Sequence, residues 1–272
     1  MKNILITGIP RSGTSLFSSL VAENQRSVVF SEPSWLGKIR ETSRNGNEFT
    51  KHLIAYISQL RNDIIKKKPL KLKINKENKK PPTNYYIRDN KGKITSHKNE
   101  MEVIFEKKYS NYPFYIKSNA QFTSCLSELI KSKEFKIYCV IRNPVSCIMS
   151  WRSLQIPVSH GNMKIAEKYS KSYRMSVLSE KKLILKQIKI IEWFYETYYK
   201  NSKDIEIIFY EDLISNTKKT LEKAIGSIPL NIPKLESKNK SSDYNLEERS
   251  YILEHLKASG RFYKLFYPEL NN

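Results

Sequence analysis

The chain of 272 residues is long enough for one large α/β domain or two small ones, and its 39% hydrophobic content excludes wholesale disorder. Lys and Arg total 48 against 27 Asp and Glu, a formal net charge of +21, which predicts an anionic partner or substrate. No apolar run reaches the roughly 20 residues of a membrane-spanning helix. The run "NILITG" at residues 3–8 already has the pattern of a strand, which leaves no room for a signal peptide before it. We therefore expect a cytoplasmic protein without a membrane span.

Five apolar runs predict β-strands, and helical patterns separate them. The runs lack strict apolar/polar alternation, which suits strands that are covered on both faces. They are "NILIT" (3–7), "SVVF" (27–30), "PFYIK" (113–117), "FKIYCVI" (135–141) and "IEIIFY" (205–210). The predicted helices cover residues 14–23, 49–65, 121–132 and 179–199.

This alternation predicts an α/β fold, a P-loop-type parallel sheet of about five strands with helices on both faces. We expect one domain over residues 1–272, with ligands bound beyond the carboxyl ends of the strands. The cysteines Cys125, Cys139 and Cys147 lack disulfide or metal spacing, which predicts free thiols.

The "lysine-rich segment", residues 66–98, interrupts the pattern. It carries twelve Lys or Arg against Glu77 and Asp89, a Pro-Pro pair and a turn-like "DNKGK". A solvated insertion at about residues 66–100, with a hairpin, is one interpretation. The other is a basic flap over an acidic substrate.

The stretch "GIPRSGTS" (8–15) follows the first strand and opens a helix. Backbone amides at such a turn, together with the helix N-terminus, can hold an anion. Arg11 adds a guanidinium fork, and Thr14 and Ser15 add hydroxyl donors. Thr14 stands where a Walker A loop has its lysine, so the loop is poorly suited to phosphoryl transfer from ATP. We refer to residues 8–15 as the first anion site.

A second anion site is predicted at "RNPVSCIMSW" (142–151), directly after the fourth strand. Arg142 stands at the carboxyl end of that strand. Pro144 suits the first turn of a helix, and Ser150 lies on that helix, eight residues beyond Arg142. Arg142 and Ser150 could together bind a second phosphate.

"PRSGTS" and "RNPVSCIMS" together resemble the two signatures of the PAPS-dependent sulfotransferase family, and "YEDL" (210–213) is also common there. Arg11 is typical of carbohydrate and tyrosylprotein members. The resemblance implies transfer of a sulfuryl group from 3′-phosphoadenosine 5′-phosphosulfate (PAPS) to a hydroxyl, leaving 3′,5′-adenosine bisphosphate (PAP), without a metal. It implies donor-binding roles for Arg11, Ser12, Gly13, Thr14, Ser15, Arg142, Ser150 and, near the C-terminus, Arg261.

For the catalytic base, Glu32 in "VVFSEPSW" resembles the glutamate base of tyrosylprotein and many carbohydrate members. Pro33 predicts an extended backbone at Glu32. Lys117, at the end of the third strand, could stabilise the transferring group with Arg11. No histidine follows Lys117 closely, and His160 is the reserve candidate for the base.

The acceptor is expected to be a hydroxyl-bearing molecule, with an acidic or sulfated glycan favoured and peptide tyrosine, a lipid headgroup or a secondary metabolite left open. No nucleic-acid partner is expected. Two alternative functions remain at this stage. One is a P-loop nucleotide-dependent kinase, and the other is a non-catalytic polyanion-binding protein that uses the lysine-rich segment.

Overall fold

A computed structural model describes residues 3–24, 26–88, 94–96, 100–154, 156–226, 232–239 and 244–271. The described residues form nine strands. They are β1 (Asn3–Gly8), β2 (Val28–Ser31), β3 (Leu70–Leu72), β4 (Tyr86–Arg88), β5 (Ile94–Ser96), β6 (Met101–Val103), β7 (Phe114–Lys117), β8 (Phe135–Ile141) and β9 (Glu206–Phe209).

The central sheet has the order β2-β7-β1-β8-β9, and every neighbouring pair in it is parallel. Its five strands are the five predicted ones, and β8 spans the predicted residues 135–141. The α/β fold class is therefore confirmed. Successive residues of β1 belong to different hydrophobic clusters: Leu5 lies in the larger cluster, and Ile4 and Ile6 lie in the smaller one. Both faces of the sheet are buried, which explains why the strands lack apolar/polar alternation.

Helices cover both faces of this sheet. They are α1 (Thr14–Val21), α2 (Trp35–Thr42), α3 (Gly46–Ile65), α4 (Asn119–Ser124), α5 (Leu126–Lys131), α6 (Pro144–Arg152), α7 (Lys164–Tyr169), α8 (Lys171–Val177), α9 (Leu183–Lys200), α10 (Tyr210–Ser215), α11 (Thr217–Ile225) and α12 (Leu246–Ser259). Short 3₁₀ turns occupy Lys107–Asn111, Pro157–His160, Tyr263–Leu265 and Pro268–Asn271. Among the described helices, none is long and apolar enough to cross a membrane.

Three predicted helices have different boundaries in the structure. The predicted helix 49–65 begins earlier, at Gly46, because the Asn45 side chain accepts a hydrogen bond from the Glu48 amide and caps the helix. The predicted helix 121–132 is two helices, α4 and α5, which meet at Cys125. The predicted helix 179–199 begins at Leu183.

The lysine-rich segment packs against the core. β3 pairs antiparallel with β6, and Leu70 and Leu72 of β3 are buried in the main hydrophobic cluster. β4 and β5 pair antiparallel, as the predicted hairpin requires, while the predicted "DNKGK" turn lies outside the described residues. The buried leucines fix the start of the segment to the body of the protein.

The three cysteines are free and buried, and burial raises the pKa of the Cys125 and Cys147 thiols to about 12. Since the thiolate is the reactive form, we expect no thiol of the native protein to react with Ellman's reagent at pH 8 within minutes. Three thiols should react once the protein is unfolded in guanidinium. Rapid modification of one thiol in the native protein would contradict this burial.

Candidate active site

A cavity of about 1440 Å³ lies beyond the carboxyl ends of β1, β2, β7 and β8. Loops that follow these four strands line it, in agreement with the rule for ligand sites of parallel α/β sheets. The cavity brings together most of the residues that the sequence singled out, namely Arg11, Gly13, Thr14, Ser15, Glu32, Lys117, Arg142, Ser150 and His160. Ser12 and Arg261 are not among its lining residues.

The first anion site is a tight turn between β1 and α1. Arg11 and Gly13 have φ angles of 71° and 96°, so the chain passes twice through the left-handed region. Helix α1 begins at Thr14, and its N-cap residue is Gly13, so no side chain caps the N-terminus of the helix. Ser12 fastens the turn to the sheet, because its Oγ donates to the Val140 carbonyl oxygen over 2.6 Å. The N-terminal amides of α1 are thus left for an anion.

Gly13 is required by its surroundings as well as by its φ angle. A Cβ there would lie 2.7 Å from Cδ2 of Tyr210, the first residue of α10. We expect Gly13→Ala to lower the free energy of unfolding by more than about 1 kcal/mol, measured by chemical denaturation. Gly37→Ala is the matched control, because a Cβ at this helical position meets only the flexible end of Arg40, at 3.7 Å. Equal stability of the two variants would show that the turn tolerates a side chain.

Arg11 and Arg142 join the two anion sites. Arg11 Nε donates to Ser150 Oγ over 3.2 Å, and its Nη1 donates to Asn84 Oδ1 over 2.9 Å. Arg142 is only 4% exposed, and its Nη1 donates to the Arg11 carbonyl oxygen over 3.0 Å. Its other two nitrogens donate to Asn239 Oδ1 and to the Lys238 carbonyl oxygen. The two sites that the sequence separates by 131 residues are therefore in direct contact.

Arg11 and Arg142 bring two positive charges to the cavity. Within the part of the chain that the structure describes, neither guanidinium forms a salt bridge. Burial lowers the pKa of Arg11, and the positive charge of Arg142 lowers it further. Arg11 is half-buried, Arg142 is buried, and their charges repel each other. A bound anion would stabilise both cations, so the pair is suited to a ligand with more than one negative charge.

Glu32 and Lys117 form the other polar centre of the cavity. Lys117 Nζ lies 2.8 Å from Glu32 Oε1, and the lysine side chain is 4% exposed against 36% for the glutamate. Lys117 Nζ also donates to Ser15 Oγ over 3.4 Å, and Ser118 Oγ donates to Glu32 Oε2 over the same distance. The carboxylate is thus oriented by two donors, and its lysine partner also contacts the first anion site.

The backbone at Glu32 corrects a sequence prediction. Its φ is 48°, in the left-handed region, where the following proline predicted an extended residue. Two hydrogen bonds support this turn. The Glu32 amide donates to the Lys117 carbonyl oxygen over 2.9 Å, and Lys73 Nζ donates to the Glu32 carbonyl oxygen over 2.5 Å. Such a conformation costs about 1–3 kcal/mol and requires tertiary contacts to maintain it.

A family model for the sulfotransferase domain matches residues 1–228. The chain belongs to the sulfotransferase family. A search of curated proteins found no significant match. This assignment favours sulfuryl transfer over the kinase and polyanion-binding alternatives, and the family generally uses PAPS as its donor.

Three solved structures that resemble the chain are sulfotransferases. The sulfotransferase domain from the curacin biosynthetic pathway is 14% identical, with a TM-score of 0.43 and coverage of 91% of this chain and 80% of that one. Sulfotransferase STF9 from Mycobacterium avium is 11% identical, with a TM-score of 0.43 and coverage of 96% and 78%. Sulfotransferase STF1 from Mycobacterium tuberculosis is 12% identical, with a TM-score of 0.42 and coverage of 93% and 76%.

The lysine-rich segment of this sulfotransferase contributes cavity residues that the sequence analysis did not single out: Lys73, Asn84, Tyr85 and Tyr86. The Tyr85 hydroxyl donates to the Ser31 carbonyl oxygen over 3.0 Å, and the Tyr85 ring centroid lies 5.4 Å from Lys117 Nζ. The Tyr86 ring centroid lies 5.5 Å from Cζ of Arg11. The two adjacent tyrosines in "TNYYIR", inside an otherwise basic run, were the sequence feature that could have indicated these contacts between rings and cations.

The sequence analysis also assigned no role to Glu211 of "YEDL". Its Oε1 accepts hydrogen bonds from the Asn143 amide, over 3.0 Å, and from Asn239 Nδ2, over 2.7 Å. Its Oε2 accepts a hydrogen bond from the Tyr267 hydroxyl over 2.9 Å. This carboxylate holds together the loop after β8, residues 238–239 and the C-terminal turn, and thereby supports Arg142.

The remaining predicted residues have different locations. His160 is exposed at the end of a 3₁₀ turn on the cavity wall. Arg261 follows α12, where its amide donates to Glu192 Oε2 over 2.6 Å and its guanidinium carbon lies 5.5 Å from the Phe262 ring centroid. The structure therefore brings His160, but not Arg261, to the cavity.

Proposed function

We propose that this sulfotransferase transfers the sulfuryl group of PAPS to a hydroxyl of a carbohydrate-containing acceptor. The observation that carries the proposal is the pair of arginines in one cavity, Arg11 half-buried and Arg142 buried, neither of which has a salt-bridge partner among the described residues. PAPS carries anionic groups at both ends of its ribose, so it supplies the negative charge that these two cations lack.

The donor set fits such a nucleotide. The N-terminus of α1, the hydroxyls of Thr14 and Ser15 and the Arg11 guanidinium would hold the 5′-phosphosulfate. Arg142 and Ser150 would hold the 3′-phosphate. Three of the five N–H groups of Arg142 donate to described residues, so two remain for phosphate oxygens. The donor supplies the sulfuryl group.

Glu32 is proposed as the general base. It would take the proton of the acceptor hydroxyl as that oxygen forms its bond to sulfur and the bond from sulfur to the 5′-phosphate oxygen breaks, leaving PAP. Lys117 and Ser118 orient the Glu32 carboxylate. Lys117 also lies against Ser15 of the first anion site, where its charge would stabilise the sulfuryl oxygens during transfer.

The acceptor class is proposed from the charge of the cavity. Among the described residues, seven Lys or Arg line the cavity against two Glu, which favours an acidic or already sulfated glycan over a neutral one. The basic residues are Arg11, Lys73, Lys117, Arg142, Lys164, Lys234 and Lys238, and the acidic ones are Glu32 and Glu236. PAP formation from PAPS should therefore rise more with uronic-acid or sulfated oligosaccharides than with their neutral counterparts. Tyrosine peptides serve as the competing acceptor class.

The proposed donor is tested first, by calorimetric titration of the protein with PAP and, separately, with ATP, both in EDTA. We expect PAP to bind with micromolar or tighter affinity and ATP much more weakly, because ATP lacks a 3′-phosphate. Equal affinity for the two nucleotides, or no binding of PAP without added metal, would overturn the proposed use of the two anion sites.

A further inference from the structure

The turn at Glu32 is held from outside the central sheet by the lysine-rich segment. Lys73 directly follows β3 and donates to the Glu32 carbonyl oxygen over 2.5 Å. Tyr85, further along the segment, donates to the carbonyl oxygen of Ser31. Two consecutive carbonyl groups at the end of β2 are thus bound by side chains from one segment.

This contact opposes the local preference of the chain. A residue that precedes proline favours an extended backbone, yet Glu32 has a φ of 48°. The hydrogen bond from the Glu32 amide to the Lys117 carbonyl oxygen holds only the N–H side of this residue and leaves its carbonyl group to another donor. Without a donor at its carbonyl group, the turn would lose the contact that offsets its strain, and the carboxylate would move relative to the first anion site.

Lys73 is itself held firmly. Leu70 and Leu72 are buried, and β3 pairs with β6 in the register Leu70 to Val103 and Leu72 to Met101. Lys73 therefore extends from an anchored strand into the cavity, where it is one of the lining residues. Its neighbour Lys71 is exposed on the same strand, opposite Glu102.

We propose that Lys73 is a positioning residue that holds the strained turn of Glu32 in the geometry needed for proton removal. This inference rests on the proposed function, because it assigns Lys73 a role through the proposed base. It also assigns the lysine-rich segment a function besides attraction of acidic acceptors. Misplacement of a reacting group by about 1 Å can lower a rate about 100-fold, so loss of this contact should affect turnover far more than donor binding.

The test compares Lys73→Met, which keeps the length of the side chain but removes its donors, with Lys73→Arg, which retains donors. Lys71→Met is the matched control. Hydrogen exchange of the peptide that contains Glu32, PAP affinity and the rate of PAP formation at saturating PAPS are measured for each. We expect Lys73→Met to speed exchange at the Glu32 amide and to lower kcat, each about tenfold or more, with PAP affinity and the KM for PAPS within about threefold.

Lys73→Arg should recover most of both losses, and Lys71→Met should match the wild type. Unchanged hydrogen exchange in Lys73→Met would overturn the inference. Faster exchange with unchanged kcat would also overturn it, because Lys73 would then have only a structural role. Failure of the wild type to bind PAP would instead overturn the proposed function. The exchange measurement would still decide whether Lys73 holds the turn.

Discussion

Replacing Glu32 by Gln should lower the rate of PAP formation from PAPS at least about 100-fold while leaving PAP affinity within about threefold. Gln keeps one oxygen, which can accept the hydrogen bond from Lys117, and places an amide NH2 group near Ser118. The neutral amide cannot take a proton from the acceptor. The loss should appear in kcat, because Glu32 contacts neither arginine of the two anion sites. The rates are measured at saturating PAPS, with an oligosaccharide acceptor chosen for the wild type.

The variant also removes the charge partner of the buried Lys117, so its melting temperature is measured in parallel. PAP binding reports whether the cavity is intact. His160→Gln is the matched comparison, because His160 lines the same cavity and was the reserve candidate for the base. Near wild-type turnover in Glu32→Gln, with loss of turnover in His160→Gln, would transfer the role of the base to the histidine.

Replacing Arg142 by Ala should weaken PAP binding by about 100-fold or more. The two N–H groups that remain for a phosphate would each form a charge-assisted hydrogen bond, worth about 1.5–3 kcal/mol. Calorimetry measures the change. Arg142→Lys should recover only part of the affinity, because an ammonium group keeps the charge but not the guanidinium fork. Arg174→Ala, on the exposed face of α8, should bind PAP as the wild type does.

Titration with AMP distinguishes a direct contact between Arg142 and the 3′-phosphate from a disturbance of the fold in Arg142→Ala. Arg142 also donates to the Arg11 carbonyl oxygen, so its removal could disturb the first anion site. AMP lacks the 3′-phosphate and should bind wild type and Arg142→Ala with similar, weak affinity. If AMP and PAP lose affinity by the same factor, Arg142 supports the loop and does not bind the 3′-phosphate. Arg261→Ala in the same titrations decides the remaining donor-binding prediction.

The parts of this molecule that the sequence predicted are those set by local patterns. Residues 135–141 form a strand because the run is apolar throughout and is buried on both faces. The first anion site could be located because a strand, a glycine turn and a helix start follow one another within 15 residues. Arg142 and Ser150 could be assigned to one site because Ser150 lies on α6, the helix that begins two residues after Arg142.

The parts that the sequence missed depend on contacts between distant residues. Pro33 alone predicts an extended Glu32, whereas the observed left-handed residue accepts a hydrogen bond from Lys73, 41 residues away. Asn84 reaches Arg11 across 73 residues, in a segment whose composition indicated a solvated loop. The resemblance to the family implies a donor-binding role for Arg261, but the sequence does not show that its amide donates to Glu192 and that it lies outside the cavity lining.

Tyr210 belongs to neither anion site, but its contacts involve both of them. Its ring would contact any side chain at position 13, its centroid lies 4.6 Å from Cζ of Arg142, and its hydroxyl accepts from the Lys238 amide over 3.0 Å. One aromatic ring at the end of β9 therefore lies against both anion sites, at Gly13 in the first and at Arg142 in the second. We expect the relative position of the two sites to depend on this ring, which lies outside both of them.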